Sequence, residues 1–219
     1  MSRTGWKKET GRTLEIEMLT ITPDCEKVIE RAGRTCYMSL DKAGGESTDR
    51  FVRMLVTRGH HSVLEHASAT FAISGVSRAC THQLVRHRLC SFSQKSQRYV
   101  SERETGFVVP ESVAASEEAL KIFTDSTAAS HASYEKLVEL GIPKEDARFI
   151  IPGAVHTDIV LTANLRELRH VIELRGSRHA QWEIRELAVA MLGILKKEAP
   201  NVFFDLDAGA DGCVTRTGP

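Results

Sequence analysis

The chain has 219 residues, 42% of them hydrophobic, and its 29 basic and 29 acidic side chains cancel; this length suits one domain with its own core, and the balance excludes a general polyanion binder. Five cysteines, Cys25, Cys36, Cys80, Cys90 and Cys213, are odd in number and scattered, with no C-x-x-C pair, so reduced thiols are expected rather than a disulfide framework or a structural zinc site. No apolar run approaches the roughly 18 residues of a membrane span, and residues 1–12 are polar and basic apart from Trp6, which together predict a soluble, cytoplasmic protein.

After this polar leader, residues 14–19 alternate apolar and polar as a strand does, and Thr22-Pro23-Asp24 then offers Asp24 as the cap of a helix over 25–37. Gly44-Gly45 marks a loop. Thr48 or Asp49 can cap a second helix bearing Phe51, Met54 and Leu55 on one face, ended by Arg58-Gly59. A loop or short turn then leads into a strand over 66–73, closed by Gly75. The spacing predicts a helix over 76–88, with Gln83 and His87 on one face and His82 and Arg86 on another. Residues 107–110 read as a short extended piece, and 113–140 as one long amphipathic helix stopped by Gly141. Pro143 opens a short helix over 144–150. Residues 154–163 are β-like, and Asn164 caps a helix through 174 whose buried stripe is Leu165, Leu168, Val171 and Ile172. A last helix spans 181–198, and 207–219 read as a mobile tail. Helices outnumber strands without regular alternation, which predicts α+β: a helix-rich single domain, over 13–206, with a small, mostly antiparallel sheet.

Charge is concentrated in one place. Between Arg78 and Arg103 stand six Lys or Arg and a single acid, Glu102. Within it lies Arg86-His87-Arg88-Leu89-Cys90-Ser91-Phe92-Ser93-Gln94-Lys95-Ser96-Gln97-Arg98-Tyr99, where guanidinium forks and neutral donors together suit a phosphate-bearing ligand. On charge alone the same stretch also reads as a solvated basic helix end.

Arg-His-Arg followed by Ser96 and then Gln97-Arg98-Tyr99 resembles the signature of the flavin-dependent thymidylate synthases. The resemblance extends to Arg58-Gly59-His60-His61-Ser62-Val63-Leu64-Glu65-His66 upstream. Downstream it takes in Pro143-Lys144-Glu145-Asp146-Ala147-Arg148, Asn164-Leu165-Arg166 and Leu174-Arg175-Gly176-Ser177-Arg178-His179-Ala180-Gln181-Trp182-Glu183. It implies a homotetramer with active sites between subunits. By the same resemblance Arg86, His87, Arg88, Gln94, Asn164, Arg166 and His170 would contact FAD, with Ser62 from a neighbouring subunit. Gln83, Leu84, Val85, Arg86, Gln94, Lys95, Ser96, Gln97 and Arg98 would bind dUMP, joined by Arg148 and Arg175, with His60 and Glu65 in the same cavity. Gln94 stands where Glu is common in the family, and His170 where others have Asn.

The reaction the resemblance implies is reductive methylation of dUMP to dTMP, with methylenetetrahydrofolate as one-carbon donor, NADPH reducing the flavin, and tetrahydrofolate released. Uracil C5 is a weak nucleophile, and a guanidinium beside the ring stabilises negative charge developing on N3 and O4. Arg175 takes that role, against the plainer reading of a cation at a helix C-terminus. Ser96 has no evident base and is assigned to binding rather than attack. Cys90 has cationic neighbours that could activate a thiol, but its apolar flanks favour a packed one. His60, His61 and His66 do not make a metal site by proximity alone, so no metal is expected. No G-x-G-x-x-G follows a strand. A nucleic-acid module using the basic stretch would explain the arginines there but leave Asn164, Arg166 and Arg175 without a role, and aromatic residues for stacking are sparse at 6%; no nucleic acid and no membrane are expected as partners.

Overall fold

A computed structural model describes residues 14–43 and 46–217. The expected leader and the Gly44-Gly45 loop lie outside the described residues. β1 (Glu15–Ile21), β2 (Ser68–Ser77) and β4 (His156–Asn164) fall where the sequence predicts strands, β3 (Ser91–Gln94) forms where none is expected, and the four pair in the order β1-β2-β4-β3. In β2, Ala69, Phe71 and Ile73 are buried while the residues between them are not. β2 and β4 are antiparallel: Leu165 N donates to Ala67 O at one end of the pair and Arg78 N to Val155 O at the other. The helices are α1 (Cys25–Cys36), α2 (Glu46–Thr57), α3 (Arg78–Leu84), α4 (Glu111–Ala114), α5 (Glu117–Glu139), α6 (Lys144–Ala147), α7 (Leu165–Arg175) and α8 (Trp182–Glu198). This is a helix-rich α+β chain with a small antiparallel sheet, as the pattern predicts. Among the described residues no helix is long and apolar enough to cross a membrane.

The chain divides into two compact units. Among the described residues, one comprises residues 14–15, 74–79 and 94–158, the other 16–43, 46–73, 80–93 and 159–217. In the second, α7 turns Leu165, Leu168, Val171 and Ile172 fully inward, each contributing about 1.5–3 kcal/mol of burial. Asn164 caps this helix as expected, its Oδ1 accepting from Glu167 N at 2.8 Å, and α8 packs along it. In the first unit the expected long helix is broken. Ser116 Oγ accepts from Ala119 N at 3.3 Å and starts α5 afresh after the short α4.

Three further departures have local causes. β2 does not close at Gly75 but runs through it, because glycine takes φ 71° there and the strand bends without ending. Asp24 has φ 50° and makes no capping bond; its carboxylate instead receives Lys27 Nζ at 2.8 Å. α3 ends at Leu84 rather than at 88, since Arg86 N donates to Gln83 O and His87 N to Leu84 O, a tightening to three-residue turns that swings His87 off the helix.

The expected mobile tail is corrected most strongly. Residues 206–216 form a hairpin, β5 (Leu206–Ala208) against β6 (Val214–Arg216), in antiparallel register. Arg169, buried on α7, donates Nη1 to Asp205 Oδ1 at 2.7 Å and Nη2 to Oδ2 at 2.9 Å, and Arg216 Nε reaches Oδ2 at 2.9 Å. Burial opposes ionisation of Asp205, but these arginines hold its carboxyl below the usual range. Val214 N donates to Gly176 O at 2.8 Å, and a Cβ on Gly176 would meet Val214 Cγ2 at 2.3 Å. Short polar sequence with Gly and Asp reads as tail; one buried ion pair upstream makes it structure. We expect Asp205→Ala to cost about 3–5 kcal/mol by stranding Arg169 and Gly176→Ala about 1–3 kcal/mol by overpacking, both read from urea midpoints.

Candidate functional site

The two units each carry a cluster of the predicted residues. In the second unit, Asn164 and Arg175 stand at the two ends of α7. Arg175 Nε donates to His87 Nε2 at 2.9 Å and its Nη2 to Gln83 O at 3.1 Å. The guanidinium therefore sits at the C-terminus of α3 as well as at the end of its own helix, where a cation is favoured electrostatically. His87 is 5% exposed, while Arg86 and Arg88 on either side are exposed. Its ring lies edge-on to His170, centroids 5.6 Å apart. Burial, then the Arg175 charge and His170, push the His87 imidazole down to about 4, so it is neutral near pH 7. Because Nε2 accepts from Arg175, the ring proton is on Nδ1.

The 3-10 turn His61–His66 packs against α7. Glu65 pairs with Arg166, whose guanidinium stays half exposed. His60 and Ser62 are exposed, with Val63 and Leu64 buried as the anchors of the turn. His170 is exposed on α7. Leu84 is fully buried, so only its backbone can meet a ligand, whereas Val85 is partly exposed. Gln83 reaches Arg175 through its carbonyl.

In the first unit, the segment from Gln94 to Arg98 is held from below. Lys95 Nζ binds Glu102 Oε2 at 3.0 Å and Thr105 Oγ1 at 2.8 Å. Glu102 is 1% exposed, and its backbone is fixed by His131 Nε2 on its carbonyl and by donation of its N–H to Tyr134 OH. Gln94 Nε2 donates to Thr157 Oγ1 at 3.1 Å, Gln97 is buried, and Ser96 Oγ accepts from Arg98 N at 3.3 Å. Arg98 Nε pairs with Glu145 at 2.7 Å, and Arg148 Nε donates to the Glu145 carbonyl. Arg78 is made harder to charge by burial, and the nearby Arg148 adds to this while Glu102 opposes it. An anion beside Arg78 would relieve that penalty.

Sequence reasoning missed Glu102, Glu145 and Glu167. Glu167 had a signal, since Asn164-x-x-Glu167 is a capping-box spacing, but that spacing points to the helix start rather than to His87. Among the described residues no group of three or more His, Cys, Asp or Glu is placed to hold a metal ion.

Residues 17–201 match the family described as thymidylate synthase complementing protein. Over 214 residues the chain is 47% identical to a flavin-dependent thymidylate synthase from Geobacter sulfurreducens, covering 94% of this chain and 91% of that protein. The chain belongs to this family. A second flavin-dependent thymidylate synthase, from Mycolicibacterium gilvum, is 40% identical over 97% of this chain and 93% of its own length. In three dimensions the chain is similar to a crystal structure of a UMP/dUMP methylase from Streptomyces cacaoi bound with 5-Br dUMP. That likeness has a TM-score of 0.78 and 26% identity, over 89% of this chain and 94% of the other. Burial, then the adjacent Glu167, pushes the Cys90 thiol up to about 12, and Sγ lies 4.0 Å from Glu167 Oε1.

Two predictions follow from these shifts. Cys90→Ala should keep its turnover, and Cys90 should resist alkylation at neutral pH while the exposed Cys36 reacts, which peptide mapping after iodoacetamide reads directly. His87 ionises at about 4 in the fold against its ordinary 6.5, so the unfolded chain takes up the proton first. Stability should therefore rise with pH between about 4 and 6.5, by on the order of 3 kcal/mol for this one group, and level off above; His87→Gln should flatten that limb in denaturation midpoints measured across the window.

Proposed function

We propose that this chain catalyses reductive methylation of dUMP to dTMP, using methylenetetrahydrofolate as one-carbon donor and NADPH as reductant through bound FAD, and releasing tetrahydrofolate. It does so as a cytoplasmic homotetramer whose sites draw on more than one subunit, with residues 13–206 as the enzyme domain. The observation that carries the reading is Arg175. Two of its nitrogens are fixed on His87 Nε2 and the Gln83 carbonyl, inside the block that resembles the family's signature.

The residues present fit a flavin dinucleotide. Its pyrophosphate is anionic, and the exposed Arg86, Arg88 and Arg166 with His170 form a donor set within one unit, while Asn164 and Ser62 supply neutral groups. When bound, the flavin supplies the reducing equivalents taken from NADPH. The chain's own residues bind, orient and polarise. Arg175 stabilises negative charge on uracil N3 and O4 as C5 becomes nucleophilic. A guanidinium already held by two hydrogen bonds needs little reorganisation to do this, which is where such electrostatic stabilisation gains its effect. To dUMP binding we assign Gln83, Leu84, Val85 and Arg86 of one unit, and Gln94, Lys95, Ser96, Gln97, Arg98 and Arg148 of the other, together with Arg175. Lys95, tied to Glu102 and Thr105, shapes the loop that presents Ser96 and Arg98. Arg98 pairs with the exposed Glu145 and lies over the Tyr99 ring, exposed contacts of little strength that a phosphate can displace. His60 and Glu65 complete the cavity, Glu65 by orienting Arg166.

Purified protein should show oxidised-flavin absorption that NADPH bleaches anaerobically and dUMP perturbs, followed by dTMP formation. Arg175→Ala should lower kcat by about 100-fold or more while flavin stays bound. A chain that remains colourless with added FAD, or an Arg175→Ala variant of undiminished turnover, would overturn the assignment.

A further inference from the structure

We propose that Glu167 and His87 form a positioning pair for Arg175, in which the Glu167 carboxylate holds the His87 proton on Nδ1 and so keeps Nε2 an acceptor for the arginine. The inference rests on the reading of Arg175 as the activating cation, and it adds a residue and a protonation requirement to it. His87 Nδ1 lies 3.5 Å from Glu167 Oε1, and the two side chains are 4% and 8% exposed. At that separation the contact is a charge acting on an N–H dipole rather than a short hydrogen bond, but little water is at hand to screen it. On the opposite edge of the ring, Nε2 meets Arg175 Nε at 2.9 Å.

A neutral imidazole has one donor and one acceptor nitrogen. Arg175 offers only N–H groups, so a ring protonated on Nε2 would set donor against donor and release the guanidinium. The fold supplies the bias against that tautomer. Glu167 is placed by the first turn of α7, where its own N–H is bound by the Asn164 cap, and Arg175 closes the last turn of the same helix. One rigid helix therefore carries both the group that sets the tautomer and the group that uses it. The charge of Glu167 by itself would favour a protonated ring, and the other groups facing the ring oppose that. His170 and Arg175 on α7 oppose its protonation, and burial opposes it most. Cys90, from the turn after His87, has its thiol toward the same Glu167 oxygen and contributes no charge. Full protonation of His87 would turn Nε2 into a donor, so the Nε bond of Arg175 holds only while the ring is neutral, leaving Nη2 on the Gln83 carbonyl as its other anchor.

The test uses flavin-loaded enzyme with 15N-labelled histidine, the His87 resonances being identified by their absence in His87→Gln. The wild type should show His87 as the Nδ1–H tautomer. Glu167→Ala should mix the tautomers and lower kcat by about 10- to 100-fold with flavin content unchanged, and Glu167→Gln, whose amide oxygen still accepts, should recover most of the rate. An Nε2–H tautomer in the wild type, or wild-type kcat in Glu167→Ala, overturns the proposal; the wild-type tautomer decides even where Glu167→Ala does not fold. An active Arg175→Ala enzyme with His87 still in the Nδ1–H form would instead sink the catalytic assignment of Arg175 and leave the hydrogen-bonded geometry standing.

Discussion

The hydrogen bond from Arg175 to His87 sets a condition that much of the second unit is arranged to meet. An imidazole accepts from a guanidinium only when it is uncharged, and it stays uncharged there because it is buried next to another cation. Burying that ring requires α3 to unwind early, and the unwinding in turn leaves Arg86 and Arg88 outward. A single inward residue thus produces a pair of exposed guanidiniums with a fixed separation along the chain. The inward and outward positions are two results of one backbone turn.

The first unit handles its cations differently. Lys95 is paired with the buried carboxylate of Glu102 and shared with Thr105, while His131 and Tyr134 fix the Glu102 backbone. Arg98 is left in a solvent-exposed pair that is easily exchanged. Burial, with Arg148 adding to it, disfavours the charge of Arg78. The gradient from tightly to loosely satisfied cations suits a segment that is rigid at its base and open to an anion at its rim.

Much of this was legible in the sequence. The strand alternation of β2, the apolar stripe of α7 and its Asn164 cap follow from periodicity and capping chemistry alone, and the Arg86 to Tyr99 stretch stands out by charge. What escaped was long-range. Nothing local tells that His87 faces inward, because its i, i+4 spacing from Gln83 fits a continuing helix equally well. Glu167 looks like a capping partner because it is one, and its second contact depends on a residue far upstream. The pairing of Lys95 with Glu102, seven residues on, follows no local pattern. The hairpin after Asp205 lacks the apolar alternation of a strand, so its order depends on Arg169, which sequence pattern places only as a charge on a helix.

That hairpin has a consequence for the order in which the site is completed. Synthesis runs from the N-terminus, so α7 with Arg175 emerges well before Val214, whose N–H binds the Gly176 carbonyl and whose side chain covers the glycine. Until β6 arrives, the helix end that carries the arginine has an uncovered carbonyl and a bare glycine beside it. The nascent chain therefore holds its signature residues for some time without the brace that closes the turn after Arg175.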